Sequence, residues 1–181
     1  MTEPELIARA TQIDGEPFRV DLSSLDVFVR TNYSRLIRLA ALITRDAEQA
    51  QDAVQAALER AWRKRRDVRD PARLRPWLDR IVAREAIRQT RGTGLTALLR
   101  RAPDEWIQYP AMTPEPAEMV VLREALGRLS ADQRAVVALH LHAGYTVEET
   151  ARALGVPFDT VRSRLRAARD RLRRELAEKD R

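Results

Sequence analysis

Arginine side chains near the carboxyl end are the residues of this sequence best suited to chemistry. Arginine presents a rigid fork of donors, which pairs with phosphate oxygens and with the edge of guanine. At 100° per residue, a helix through this segment has an apolar stripe that contains Val161 and Leu165. The polar side chains opposite the stripe suit a DNA major groove, although a solvated helix face is the alternative. They are Asp159, Arg162, Ser163 and Arg166.

Residues that start and stop helices stand directly before this arginine-rich segment. Thr146, followed three residues later by Glu149, forms a capping box that satisfies free backbone donors at a helix start. Gly155 can adopt the left-handed conformation that ends a helix, and Pro157 suits the first turn of the next one. This order predicts a helix, a tight turn and a second helix, which is the arrangement of a helix-turn-helix.

Positive charge is concentrated in two segments of the chain. The net charge of +6 and the pI of about 10.6 suit a polyanionic partner. Between residues 60 and 91 there are twelve Lys or Arg against four Asp or Glu, and between residues 157 and 174 there are seven against two. A solvated helix face has the same composition, so the charge pattern alone leaves both interpretations open.

The composition argues against several classes of site. The sequence has no Cys and two His, so we expect no disulfide framework, no metal site and no cofactor. It has no phosphate-loop, nucleophile or metal motif, so we expect a non-catalytic protein. No apolar run reaches the length of about 18 residues that spans a membrane, and the acidic start lacks the basic region of a signal peptide. We therefore expect a cytoplasmic protein without membrane insertion.

Helical periodicity predicts an all-α fold with two small helical domains. Apolar residues recur at three- and four-residue spacing in residues 25–43, 50–62 and 74–87, which predicts three helices with Trp62 and Trp77 in their shared core. A high density of Pro and Gly then predicts an extended linker. The predicted division is an N-terminal extension at 1–22, a front domain at 23–91, a linker at 92–117 and a helix-turn-helix domain at 118–181.

Several motifs resemble those of extracytoplasmic-function sigma factors. The carboxyl-terminal half resembles region four of that family through LSADQR at 129–134, GYTVEE at 144–149, LGVP at 154–157 and TVRSRL at 160–165. The front half is similar to region two through DAE at 46–48, Asp52, VQ at 54–55, RAW at 60–62, WL at 77–78 and RI at 80–81. The resemblance covers about residues 23–91 and 118–176. It implies an alternative sigma factor that binds core RNA polymerase, recognises two promoter elements and opens the DNA.

The resemblance also implies roles for residues at matching positions. The clamp of the largest polymerase subunit would be bound by Asp46, Glu48, Asp52 and Gln55. The downstream promoter element, with an unstacked base of the non-template strand, would be bound by Arg69, Asp70, Arg73, Arg80, Arg84 and Arg88. The upstream element would be bound by Asp159, Thr160, Arg162, Ser163, Arg164 and Arg166. Family members are commonly inhibited by an anti-sigma factor, so we expect such a partner here.

Three positions depart from the family pattern. Arg84 and Arg88 stand where the family often has Asn and Asp, and Ala167 stands where it often has a basic residue. The promoter sequence is therefore not predicted. The alternative function is a dimeric helix-turn-helix regulator that binds a palindrome without core polymerase, and operator binding without polymerase would distinguish it.

Overall fold

The computed structural model describes Val20, residues 22–92 and residues 124–179. The predicted N-terminal extension, apart from Val20 and Leu22, lies outside the described residues, and so does the predicted linker beyond Gly92. Every regular element within the described residues is helical, which confirms the all-α prediction.

Three helices form the front bundle. They are α1 (Leu22–Thr44), α2 (Ala47–Lys64) and α3 (Leu74–Gly92), and short 3-10 turns at Arg65–Asp67 and Pro71–Arg73 connect α2 to α3. Helix α1 begins at Leu22, three residues before the apolar periodicity that starts at residue 25. These three helices provide the apolar faces that the sequence periodicity predicts.

The core of the front bundle combines large side chains from α1 and α3 with small ones from α2. Phe28, Leu36 and Leu78 are fully buried. On α2 the buried residues are Val54 and four alanines, which allow the neighbouring helices to approach closely. Val20 is also buried, and its amide donates to the carbonyl of Val68 at 3.5 Å. Val20, which we predicted to belong to an N-terminal extension, is therefore part of the core.

The carboxyl-terminal helices form the helix-turn-helix unit. It consists of α4 (Ala131–Val137), a π-helical segment (Ala138–His142), α5 (Val147–Leu154) and α6 (Phe158–Lys179). A single helical turn at 124–127 precedes it. The predicted order of helix, tight turn and helix is confirmed by α5 and α6.

The start and the end of α5 are fixed by the residues that the sequence indicated. The amide of Glu149 donates to Thr146 Oγ1 at 3.1 Å, and the amide of Thr146 donates to Glu149 Oε2 at 2.8 Å. The bond from the Thr146 amide, and then a hydrogen bond from the Thr146 side chain, favour the ionised carboxylate and lower the pKa of Glu149. At the other end Gly155 has a φ of 71°, and its amide donates to the carbonyl of Ala151 at 2.8 Å.

The helix-turn-helix unit packs directly against the front bundle. Ala135, Ala138 and Leu139 belong to the same apolar core as α1, α2 and α3. Arg134 is buried at this junction, where its Nε donates to the carbonyl of Ile43 at 2.6 Å and its Nη1 donates to the carbonyl of Leu129. Burial, followed by repulsion from the nearby Arg45, lowers the pKa of Arg134 to about 10.

Candidate nucleic-acid and polymerase interfaces

The outer face of α6 carries the exposed residues that the sequence predicted for DNA. Val161 and Leu165 are buried against Val136 and Ala151, so the early part of the apolar stripe faces the interior of the helix-turn-helix unit. Arg162 and Arg166 are exposed on the opposite side. The arrangement leaves guanidinium groups free to approach the edges of bases or phosphate oxygens.

An open groove runs beside this face of α6. It has a volume of about 720 Å³, and His140 and Val147 line its other side. The arginines that line it are spaced at three or four residues and lie on one side of the helix. They are Arg162, Arg166, Arg169 and Arg173. A row of four guanidinium groups suits a polyanion that follows the helix.

Phe158 is a further exposed residue of this face, which the sequence analysis did not identify. Its ring is 39% exposed, and the guanidinium of Arg162 lies 5.7 Å from the ring centroid. Arg162 also lies 4.0 Å from the carboxylate of Asp159. Phe158 directly follows Pro157 at the start of the helix, and this position in the sequence could have indicated that its ring is exposed.

The remaining residues predicted for the upstream element differ in their exposure and in their partners within the protein. Asp159 is exposed, and the hydroxyl of Ser163 donates to the carbonyl of Thr160 at 2.9 Å. Arg164 lies on the other flank of α6, where its Nη2 is 3.0 Å from Asp132. Because this ion pair joins α6 to the start of α4, Arg164 holds the unit together in the structure and does not lie on the exposed face.

The loop before α3 holds three of the residues predicted for the downstream element. The carboxylate of Asp70 accepts a hydrogen bond from the amide of Ala72 at 2.9 Å and lies 3.4 Å from Arg73. Arg69 and Arg73 are exposed. Asp70 therefore shapes the loop, and the two arginines are its accessible charges.

Two of the three α3 arginines predicted for the downstream element have partners within the protein. Arg84 Nε donates to the carbonyl of Ala153 in α5 at 2.9 Å, and burial, followed by repulsion from Arg80, lowers the pKa of Arg84. Arg88 pairs with Glu85, a buried carboxylate on the same helix. Arg80 is exposed. The predicted downstream face is thus partly engaged with the helix-turn-helix unit through Arg84.

The acidic and amide face of α2 is exposed for most of its length. Glu48, Asp52 and Gln55 are all exposed. Asp46 differs, because it is the N-cap of α2 and its carboxylate accepts from the amide of Gln49 at 2.8 Å. Three of the four residues predicted for the polymerase therefore share an accessible surface, and the fourth fixes the start of their helix.

The two tryptophans of the front bundle have different environments. Trp77 is half-buried and packs against the core. Trp62 is 51% exposed, so the expectation that it lies in the core is wrong. The buried alanines of α2 are centred about 135° away from Trp62 around the helix axis, which places its ring at the edge of the polar face.

The described part of the chain shows neither a candidate metal cluster nor a candidate membrane span. Residues 22–92 and 124–179 contain no group of three or more His, Asp or Glu that could hold a metal ion. None of their helices combines the length and apolar character that crossing a membrane requires.

Comparison with known proteins decides the family. Models of Sigma-70 region 2 and Sigma-70 region 4 match residues 28–96 and 119–172. The ECF RNA polymerase sigma factor SigM of Mycobacterium tuberculosis is 36% identical over 158 residues, which cover 86% of this chain and 79% of SigM. This chain belongs to the extracytoplasmic-function sigma factors. The RNA polymerase sigma-E factor of Streptomyces coelicolor is 31% identical over 88% of this sigma factor and 90% of its own length.

Solved structures share the fold of this sigma factor. The sigma factor RpoE of Bartonella quintana, in complex with the anti-sigma factor NepR, matches with a TM-score of 0.66 and 26% identity. The match covers 86% of this sigma factor and 98% of RpoE. CnrH in complex with the cytosolic domain of CnrY matches with a TM-score of 0.63 at 24% identity, over 97% of each chain, and supports the fold alone. The dimeric regulator is not favoured, because the front bundle also matches a sigma region.

Proposed function

We propose that this alternative sigma factor binds core RNA polymerase through α2 and promoter DNA through α6 and the segment from Arg69 to Arg88. The main support is the row of exposed arginines on α6, on a face of the helix separate from Val161 and Leu165, which are buried in the helix-turn-helix core. The protein then acts as a non-catalytic specificity subunit. Its place of action is the cytoplasm, where polymerase and promoter DNA are found.

The upstream promoter element is bound by the outer face of α6. Asp159, Arg162 and Arg166 approach base edges from the early turns of the helix, where a bidentate arginine–guanine pair contributes about 1 to 3 kcal/mol of discrimination. Arg169 and Arg173 lie further along the same groove and pair with phosphates. Thr160 and Ser163 supply short polar contacts beside them.

The downstream element is bound by the loop and the exposed side of α3. Arg69 and Arg73 flank the turn that Asp70 stabilises, and Arg80 and Arg88 extend the positive surface along the helix. Such a surface holds the backbone of a single strand while one base leaves the stack, at a cost of a few kcal/mol. Arg84 joins this surface only when its bond to Ala153 is released.

The polymerase is bound by the exposed carboxylates and amide of α2. Glu48, Asp52 and Gln55 present oxygen acceptors on one exposed face, so a basic partner surface complements them. Asp46 contributes indirectly, because it caps the helix that carries the other three.

Charge reversal at matched positions tests the polymerase surface. Asp52→Arg places a cation on the exposed face of α2, whereas Asp26→Arg makes the same change on α1, where Asp26 pairs with the exposed Arg30. We expect Asp52→Arg to weaken binding to core polymerase at least tenfold and Asp26→Arg to leave it within twofold. Equal effects of the two variants would contradict the assignment of this surface to polymerase.

An anti-sigma factor is a further proposed partner. Its support is the structural similarity to RpoE, which was solved in complex with the anti-sigma factor NepR. Affinity capture of the tagged chain from its native cells, across growth conditions, tests the proposal. We expect a second protein that competes with core polymerase, and recovery of polymerase alone in every condition would contradict it.

A further inference from the structure

Trp62 lies on the same face of α2 as the polar residues that precede it. At 100° per residue, positions 48, 52, 55, 59 and 62 fall within an arc of about 80° around the helix axis. All five side chains are exposed. The first four are Glu48, Asp52, Gln55 and Glu59. An acidic stripe therefore ends in a large aromatic side chain.

The ring of Trp62 is held at the surface by its own neighbour. The guanidinium of Arg65 lies 5.1 Å from the ring centroid, and Arg65 Nη1 donates to the carbonyl of Trp62 at 2.7 Å. The hydrogen bond holds the guanidinium of Arg65 beside the ring, and the cation–π contact restricts the ring without covering it, because Trp62 remains 51% exposed. A partner that binds an already oriented ring has less side-chain entropy to remove.

We propose that Trp62 is the apolar anchor of the polymerase-binding surface, and that it fills an apolar recess flanked by basic side chains on the polymerase. The inference rests on the proposed role of α2. Tryptophan is enriched among the few residues that dominate the affinity of protein interfaces, whereas charges near the rim contribute more to association rate and orientation. In this stripe the carboxylates therefore increase the association rate and set the orientation, and the ring of Trp62 contributes most to the affinity.

Stacking on a DNA base is the competing explanation for an exposed tryptophan. The basic residues Arg63, Lys64 and Arg66 lie nearby in the sequence and could attract a nucleic acid strand. The acidic side chains on the same face as the ring favour a protein partner instead, because they repel a phosphate backbone. The two explanations differ in which binding step depends on the ring.

The test measures the affinity of the full-length chain for core RNA polymerase. We compare Trp62→Ala and Trp62→Phe with Tyr33→Ala, a matched control that removes another aromatic ring, 45% exposed, from α1. We expect Trp62→Ala to weaken binding about 30-fold, the factor that corresponds to about 2 kcal/mol, and Trp62→Phe to restore most of the affinity. Tyr33→Ala should stay within twofold of the wild type.

Core binding at low and high salt, together with promoter opening, distinguishes a polymerase role of Trp62 from a DNA role. The loss caused by Trp62→Ala should be similar at low and high salt, whereas the loss caused by Asp52→Arg should shrink as salt screens charge. Core affinity of Trp62→Ala within twofold of the wild type would overturn the inference, and loss of promoter opening at unchanged core affinity would assign the ring to DNA. Wild-type protein that does not bind core at all would overturn the proposed function itself.

Discussion

Arginines on the two ends of the α6 groove are expected to contribute differently to DNA binding. Arg162→Ala should remove about 1 to 3 kcal/mol of discrimination at one base pair, because a side chain in the early turns reaches base edges. Arg173→Ala should weaken binding to all sequences similarly and reduce the slope of log K against log salt by about 1, because it contacts phosphate. Titration of duplexes with single base changes, at several salt concentrations, measures both effects. A uniform loss from Arg162→Ala would contradict its role in base recognition.

The hydroxyl of Tyr145 is part of a buried charge cluster that joins the helix-turn-helix unit to the front bundle. It donates to Asp79 at 2.7 Å, and the buried carboxylate of Asp79 also pairs with Arg35 at 2.8 Å. Tyr145→Phe should lower the free energy of unfolding by about 1.5 to 3 kcal/mol, the range for a hydrogen bond to a charged group. Urea unfolding at neutral pH measures the loss.

The same contact has a pH dependence of defined sign. Burial, and then the charge and the hydrogen bond of Asp79, raise the pKa of Tyr145 above its ordinary value of 10. The folded state therefore keeps the phenolic proton up to a higher pH than the unfolded state does. The stabilisation from the Tyr145–Asp79 contact is thus complete below pH 10 and declines as the pH rises beyond it. The stability difference between wild type and Tyr145→Phe should shrink above pH 10. A difference that stays constant between pH 8 and pH 11 would contradict this linkage.

Single residues were the least predictable level from sequence. Trp62 was predicted to lie in the core because it continues the three- and four-residue spacing of apolar residues at 50–62, yet its position around the helix places it on the polar face. Arg84 and Arg164 look like free cations in the sequence, and only the folded chain brings them to Ala153 and Asp132. Contacts between residues far apart in the chain decide these roles, and local pattern does not contain them.

Among the elements, the turn between α5 and α6 depends on one backbone conformation. Gly155 has a φ of 71°, where a residue with a Cβ costs about 1 to 2 kcal/mol. A Cβ at this position would also lie 2.6 Å from Arg84 Nη2. The guanidinium is the end of a flexible side chain and can shift, at the expense of its bond to Ala153. Gly155→Ala should therefore be somewhat more destabilising than Gly144→Ala, because Gly144 has a φ of 80° but no neighbour within 4 Å of an added Cβ.

Chemical denaturation of four variants measures this difference. In a background of Arg84→Ala the close contact is absent, so Gly155→Ala and Gly144→Ala should then cost similar free energies. If the extra cost of Gly155→Ala over Gly144→Ala is unchanged in that background, the contact with the guanidinium of Arg84 does not cause the difference.

Elements with strong local signals were predictable from sequence. The capping box of Thr146 and Glu149, the glycine end of α5 and the arginine face of α6 were all expected, because each depends on residues within one or two helical turns. The π-helical segment Ala138–His142 was not expected, since its apolar residues read as an ordinary helical stripe. Its amide–carbonyl pairing, such as Ala143 to Ala138, is a property of the folded backbone.

At the scale of the whole molecule, the front bundle and the helix-turn-helix unit share a core. Arg134 donates across the junction to Ile43, and Arg91 pairs with Asp132 at 3.0 Å. The sequence predicted two domains separated by a linker, and the contacts between them could not be read from two separate periodicities. The two described halves pack together because small and apolar side chains of the helix-turn-helix unit, such as Ala135 and Leu139, join the core of the front bundle.

The junction predicts cooperative unfolding of the two halves. Arg134→Ala removes two hydrogen bonds from a charged donor and leaves buried carbonyl groups without that donor, so it should cost at least about 2 kcal/mol. Arg128→Ala is the matched control, because Arg128 is exposed and lies 3.6 Å from Glu175, an arrangement worth about 0 to 1 kcal/mol. Thermal transitions followed by circular dichroism and by tryptophan fluorescence should shift together in Arg134→Ala. Two separated transitions in the wild type would contradict a shared core.

Promoter-dependent transcription by sigma-free core polymerase with the added chain tests whether the chain acts as a sigma factor through α2 and α6. We expect the wild type to start RNA at defined sites, Asp52→Arg to fail because it does not bind core, and Arg162→Ala to bind core but to select promoters less well. A wild-type chain that neither binds core polymerase nor initiates transcription, yet protects a duplex site, would contradict the assignment of the front bundle to polymerase.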